Sequence, residues 1–64
     1  MIKERSDQIR NLVSLTIEKH GIKAPSAAQH AALKAMREGD DATAATWREV
    51  AILAEAALSA DLEA

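Results

Sequence analysis

The apolar residues of the first twenty positions recur at intervals of three and four, which is the spacing of one face of an α-helix. That face is formed by Ile9, Leu12, Val13 and Thr16, with Ile2 seven residues before Ile9. The pattern predicts a first helix that begins at Ile2 and ends at His20. The alternative is a shorter helix that begins after Ser6, because a serine side chain at an N-cap satisfies a free backbone amide.

The end of this helix is marked by Gly21. A glycine that follows a helix commonly adopts the left-handed conformation that closes it, and the next residue, Ile22, is then placed to contact Ile17. We therefore expect a helix stop at this point. Residues 23–25 are expected to form a short connector with Ala24 extended, since proline disfavours helical geometry in the residue before it.

A second helix is predicted from Ser26 to about Glu38, and Gly39 ends it. Ser26 and Gln29 have the spacing of a capping box, in which each side chain bonds the other residue's backbone amide. An alternative start places Pro25 at the first helical position. The buried side of this helix is predicted to contain Ala28, Ala31, Ala32, Ala35 and Met36, with Leu33 at its edge.

A third helix, predicted from about Ala42 to Leu62, carries two apolar stripes. Asp40 and Asp41 precede it, and either carboxylate can cap the helix. The first stripe consists of Trp47, Val50, Ala51, Ala54, Ala57 and Leu58. The second stripe, a name kept below, consists of Ile52, Leu53, Ala56 and Ala60. A helix that is apolar on two sides is either central in the fold or covered by a second chain.

Composition favours an all-α fold with a small core. Fifteen of the 64 residues are alanine, Phe, Tyr and Cys are absent, and Trp47 is the only aromatic residue. Alanine favours helices, and short connections favour antiparallel neighbours, so we expect residues 1–64 to form one domain, a three-helix antiparallel bundle. The sixteen larger apolar residues make a thin core, which favours completion of the bundle by self-association into a homodimer.

The net charge of −2 is too small to define a partner. Residues 1–23 carry five basic and three acidic groups, whereas residues 24–64 carry three basic and seven acidic groups. An alternative function is therefore a small nucleic-acid-binding regulator that uses the basic residues of the first helix, Lys3, Arg5 and Arg10. The third helix has Arg48 against four acidic residues, a balance that repels phosphate and disfavours this alternative.

Targeting signals are not apparent in the sequence. No apolar segment follows the basic N-terminal residues, and the longest apolar run, residues 50–54, is too short to cross a bilayer. We therefore expect a cytoplasmic protein that does not insert into a membrane. The absence of cysteine excludes a disulfide scaffold and a thiolate metal site.

Few residue types in this chain offer catalytic or metal-binding chemistry. His20 and His30 are the only imidazoles, and neither has a partner at i+3 or i+4 that would complete a zinc site. Asp40 and Asp41 lack the further acidic positions of a calcium loop, so capping is their expected role. We therefore predict no catalytic residue, no metal and no cofactor, and a protein that is not an enzyme.

Trp47 and the second stripe suggest how the protein acts. Trp47 is expected to anchor the core by packing over Leu33 and Met36 of the second helix and over Leu12, Val13 and Thr16 of the first. The alternative is an exposed hot spot for a partner. The second stripe is the predicted interface, because an exposed apolar stripe on a small protein usually means association. The sequence thus predicts a protein–protein interaction protein, as an adaptor, inhibitor or accessory subunit, whose partner it does not identify.

Several short segments resemble a known group of sequences. His20-Gly21 and Ala24-Pro25 form an H-G-x-x-A-P segment, Gly39-Asp40 forms a G-D turn, and Ala44 and Ala45 precede Trp47 as in A-x-x-W or A-x-W. Over residues 9–58 the chain resembles small uncharacterised helical proteins from alphaproteobacteria that carry these segments. That group has no assigned activity, so the resemblance implies a helical fold and no site residues. Residues 59–64 extend past the group's usual end.

Overall fold

Within residues 2–63, three α-helices and one short 3₁₀ turn account for almost all of the backbone. The computed structural model describes the backbone of residues 2–63 and the side chains of residues 7–60. Helix α1 spans Ile2–His20, the 3₁₀ turn spans Gly21–Lys23, α2 spans Ala24–Arg37 and α3 spans Asp41–Glu63. No strand occurs in the described backbone. The all-α prediction is confirmed, and α1 begins at Ile2 rather than after Ser6.

The junction between α1 and α2 differs from the predicted connector. Gly21 has the left-handed conformation expected of the residue that closes α1, with φ of 58°. The chain then makes a 3₁₀ turn, in which the Ala24 N–H donates to the Gly21 carbonyl, and Ala24 itself is helical with φ −55° and ψ −44°. The predictions of an extended Ala24 and a connector over residues 23–25 are wrong, because the backbone is already helical before Pro25.

The start of α2 matches the alternative with Pro25 in its first turn. The N-cap is Lys23, whose side chain makes no capping hydrogen bond, and Ser26 is an exposed residue inside the helix. The capping box at Ser26 is therefore wrong. Proline is accommodated here because the amides of a first turn have no helical partner. Ile22 is 75% exposed, so the expected contact with Ile17 does not bury it.

A Schellman motif ends α2, and an aspartate caps α3. The Asp40 N–H donates to the Ala35 carbonyl at 2.9 Å and the Gly39 N–H to the Met36 carbonyl at 3.0 Å. The Asp40 carboxylate accepts the Thr43 hydroxyl at 2.6 Å and the Thr43 N–H at 3.1 Å. These two bonds, the hydroxyl first, hold the pKa of the Asp40 carboxyl below its usual value. The short connection lets α2 and α3 form the largest helix–helix interface.

The helices pack mainly through alanine. The buried residues are Ala24, Ala28, Ala32 and Ala35 on α2, Ala44, Val50, Ala51 and Ala54 on α3, and Ile9 and Thr16 on α1. Within the described part of the chain, Val50 is the largest side chain that is fully buried. Methyl groups on facing sides permit a close approach of helix axes, and they make the core thin.

Two residues of the predicted buried side of α2 are not buried, and one residue of the first stripe is exposed. Met36 is 45% exposed, Ala57 is exposed and Ala31 is only partly buried. The row of alanines on α2 faces the core, and this rotation places Met36 on the flank of the helix. There its Sδ accepts a hydrogen bond of 3.2 Å from Arg48 Nη2. The predicted burial of Met36 is therefore wrong, because alanine rather than this larger side chain forms the contact.

Helix α1 packs on the other two helices through the face that its pattern predicts. Ile9 is buried in a cluster with Ala28, Val50 and Ala51, against which Leu12, Val13 and Trp47 also pack. The buried Thr16 hydroxyl donates to the Leu12 carbonyl at 2.6 Å, which satisfies its polar atom. The resulting molecule measures 39 × 28 × 16 Å across its Cα atoms. It is therefore flat, and much of each helix faces solvent.

Candidate protein-interaction surface

A shallow groove runs between α1 and α3. It is lined by Ile9, Arg10, Glu49, Ile52 and Leu53 and has a volume of about 360 Å³. Ile9 belongs to the core, whereas Ile52 is 66% exposed and Leu53 is 43% exposed. The side chains of Ile52 and Leu53 are thus in contact with water, and both line the groove together with the buried Ile9.

The helical period explains why this pair is on the surface. Val50 faces the core, and Ile52 follows it by two residues, which rotates its side chain by about 200° around the helix axis. Ala56 and Ala60, one and two turns after Ile52, are also exposed. All four residues of the second stripe therefore lie on the surface of α3. Their role as an interface stays a prediction.

One basic and one acidic side chain line the groove together with the apolar pair. Arg10 comes from α1 and Glu49 from α3, and both are exposed. Lys3 and Arg5, the other basic residues of the predicted nucleic-acid surface, have side chains outside the described residues. Of the three basic residues of that predicted surface, only Arg10 has a described side chain, and it lines the same groove as Glu49.

Trp47 lies at the edge of the core. It is partly buried and packs against the cluster around Ile9 and Val50. It also lines a cleft of about 260 Å³, whose other residues are Leu12, Leu15, Thr16, Lys19, His20, Ala27 and Ala31. Leu33 and Met36, its predicted neighbours on α2, line a separate groove with Arg48. Trp47 thus has one part in the core and another facing solvent, and its role as core anchor or hot spot stays a prediction.

The outer surface of α2 is a second exposed region, which the sequence interpretation did not single out. Leu33 is 53% exposed and shares a shallow depression with His30, Lys34 and Arg37. The signal in the sequence is the spacing of these three basic side chains on one face of a helix that contains no acidic residue. This surface differs from the α1–α3 groove because its charged groups have one sign.

The two histidines lie apart from each other on the surface. His20 borders the cleft beside Trp47, and His30 lies on the outer surface of α2. Among the described residues, no three histidine, aspartate or glutamate side chains come together as ligands for a metal ion. No helix in the same part of the chain has the length and hydropathy of a membrane span. A non-enzymatic function stays a prediction.

Comparison with known proteins gives no relative from which a role is transferred. No family model matches the chain, and neither a curated protein nor a solved structure matches it. The resemblance noted for the H-G-x-x-A-P segment stays a prediction.

Proposed function

We propose that this chain is a small, non-catalytic protein–protein interaction protein, an adaptor, an inhibitor or an accessory subunit, that binds through the second stripe and the adjoining α1–α3 groove. The observation that supports this function is the exposure of Ile52 and Leu53 beside the buried Ile9. Removing apolar surface from water is favourable by about 25 cal/mol per Å². A partner that covers this pair therefore gains affinity without any rearrangement of the core.

Self-association is part of the proposal. The antiparallel three-helix bundle that we propose has Val50 as its largest fully buried side chain among the described residues, so the core contributes little stabilisation. A second chain on the second stripe would extend the apolar contact of α3. We therefore propose that the protein forms a homodimer. We also propose that it is located in the cytoplasm.

Affinity capture from the organism that encodes the protein tests the interaction function. The bait is the tagged chain in three forms: wild type, Ile52→Glu/Leu53→Glu, and the control Leu33→Glu/Met36→Glu. The control places the same charges on exposed apolar residues of α2. We expect mass spectrometry to identify proteins, including untagged copies of this chain, that bind wild type and control but not the stripe variant.

Two outcomes of this capture experiment would contradict the proposal. Capture of the same proteins by all three baits, or loss of binding in the control alone, would show that the second stripe is not the binding surface. Circular dichroism of each bait verifies that all three proteins are folded.

A further inference from the structure

We infer that the second stripe and the α1–α3 groove are covered by a second copy of this chain, in a two-fold pairing that sets Arg10 of each copy against Glu49 of the other. The inference rests on the proposed function and specifies how the two copies of its homodimer pair. Three properties support it: the total exposed area of the chain, the signs of the charges in the groove, and the distribution of large and small side chains on α3.

The exposed area is larger than that of a compact monomer. The chain exposes 5064 Å², whereas a compact protein of 6.9 kDa exposes about 4,000 Å². The excess of about 1,000 Å² is close to the roughly 800 Å² that each partner contributes to an interface of standard size. One symmetric contact of ordinary extent would therefore bring the exposed surface of each chain to the usual value.

The charges favour the α1–α3 groove over the outer surface of α2 as the place of this contact. Around Leu33 the charged groups are Lys34 and Arg37, so two copies that met there would bring like charges together. The groove instead contains Arg10 and Glu49, one group of each sign. A two-fold axis that passes between them brings opposite charges together twice, which is the self-complementarity that a symmetric interface requires.

The shape of α3 suits close contact about the same axis. Ile52 and Leu53 are the two large side chains at the N-terminal end of the second stripe, and the following two turns carry only the small side chains of Ala56 and Ala60. Helix α3 of a second copy can therefore approach closely while the two large side chains pack against their symmetry mates. Packing at the centre with ion pairs at the rim is the usual arrangement of a protein interface.

Charge reversal with rescue tests the pairing. We expect Arg10→Glu and Glu49→Arg each to weaken dimerisation about tenfold or more, because each variant opposes like charges twice. The two variants mixed in equal amounts should form a heterodimer with a Kd close to that of wild type, because opposite charges then meet across the interface. The matched controls, Arg37→Glu and Glu18→Arg, change the same charges on exposed residues outside the groove and the second stripe, and they should leave the Kd unaltered.

Sedimentation equilibrium of single variants and mixtures gives the Kd values. Rescue in the mixture supports the pairing. A wild-type chain that stays monomeric at about 100 µM, which corresponds to a free energy of association weaker than about −5.5 kcal/mol, overturns it. A dimer that responds equally to groove and control variants also overturns it. In the first case the homodimer of the proposed function fails as well, whereas in the second case only this pairing fails. In both cases another protein captured at the second stripe would still support the interaction function.

Discussion

At the scale of single residues, the turn between α2 and α3 requires particular residue types at positions 39 and 40. Gly39 has a φ of 79°, and no heavy atom beyond Gly39 itself and its two chain neighbours lies within 4 Å of the position that a Cβ would take. A side chain there would meet open space, so its cost comes from the left-handed backbone alone. Asp40, the next residue, accepts two hydrogen bonds from Thr43 and so fixes the first turn of α3.

Replacement of Gly39 should separate conformational cost from crowding. We expect Gly39→Ala to lower the free energy of unfolding by about 1 kcal/mol, because the left-handed region is unfavourable for an L-residue. Gly39→Asn should cost less, since asparagine tolerates that region. Urea denaturation followed by circular dichroism measures both. Equal stability of Gly39→Ala and wild type would contradict the role assigned to this residue.

The Asp40 cap should make stability depend on pH. Because hydrogen bonds from Thr43 lower the pKa of the folded form, the cap contributes fully above the ordinary aspartate pKa of about 4 and is lost as the pH falls through the lowered value. We expect the Tm of wild type to fall more than that of Asp40→Asn between about pH 5 and about pH 2. Asp41→Asn, with the same change of charge, is the control. Parallel curves for wild type and Asp40→Asn would exclude the cap as a source of this pH dependence.

At the scale of the helices, packing depends on small residues at the points where the axes meet. Ala54 is fully buried on α3, whereas Ala57, less than one turn further, is exposed. The same side chain thus has different functions at the two positions. At Ala54 its small size permits the approach of the neighbouring helix, and at Ala57 it mainly supports helix formation.

Enlarging these two alanines should give opposite results. Ala54→Leu inserts a branched side chain into a filled interface and should destabilise the fold by about 1–3 kcal/mol. Ala57→Leu adds the same side chain at the surface and should leave the Tm close to that of wild type. Thermal unfolding at one protein concentration measures both variants. Comparable losses at the two positions would show that α3 is rotated from the orientation described here.

The helix ends could be predicted from the sequence because their requirements are local. Gly21 and Gly39 close the helices that precede them, and Asp40 caps the helix that follows. The capping box at Ser26 could not be excluded in the same way, since the start of α2 depends on the backbone arriving from the 3₁₀ turn. The buried face of α2 was also ambiguous, because Met36 and the alanine row both fit the helical period.

Only part of the candidate site could be predicted from local patterns in the sequence. The second stripe follows from the period of one helix, so its exposed residues could be predicted from α3 alone. The groove requires α1 to lie beside α3, and that brings Arg10 and Glu49 into one groove although they are far apart in the sequence. No local pattern contains such a pair, because it depends on how two helices pack.

At the scale of the whole molecule, the thin core makes folding and association depend on each other. When a dimer is the stable form, binding of the second chain stabilises the folded state by mass action. We therefore expect the Tm to rise with protein concentration for wild type and to be independent of concentration for Leu53→Glu. Differential scanning calorimetry at several concentrations measures this. A wild-type Tm that does not change with concentration would contradict the homodimer.

The balance of charge over the molecule predicts weak contact with nucleic acid. The net charge is −2, and Arg10 shares its groove with Glu49. We expect no binding to duplex DNA tighter than about 10 µM at physiological salt. Fluorescence anisotropy of labelled duplexes over a range of salt concentrations measures this. Binding at nanomolar protein that weakens steeply with salt would favour the nucleic-acid-binding alternative.

The position of Trp47 also has a spectroscopic consequence. It is the only aromatic residue of the chain, and it lies partly buried among residues of α1, α2 and α3. All intrinsic fluorescence of the protein therefore comes from one indole at the junction of the three helices. Its emission wavelength will shift when α1 separates from the α2–α3 pair, even where helicity is unchanged, so the native chain contains its own reporter of partial unfolding.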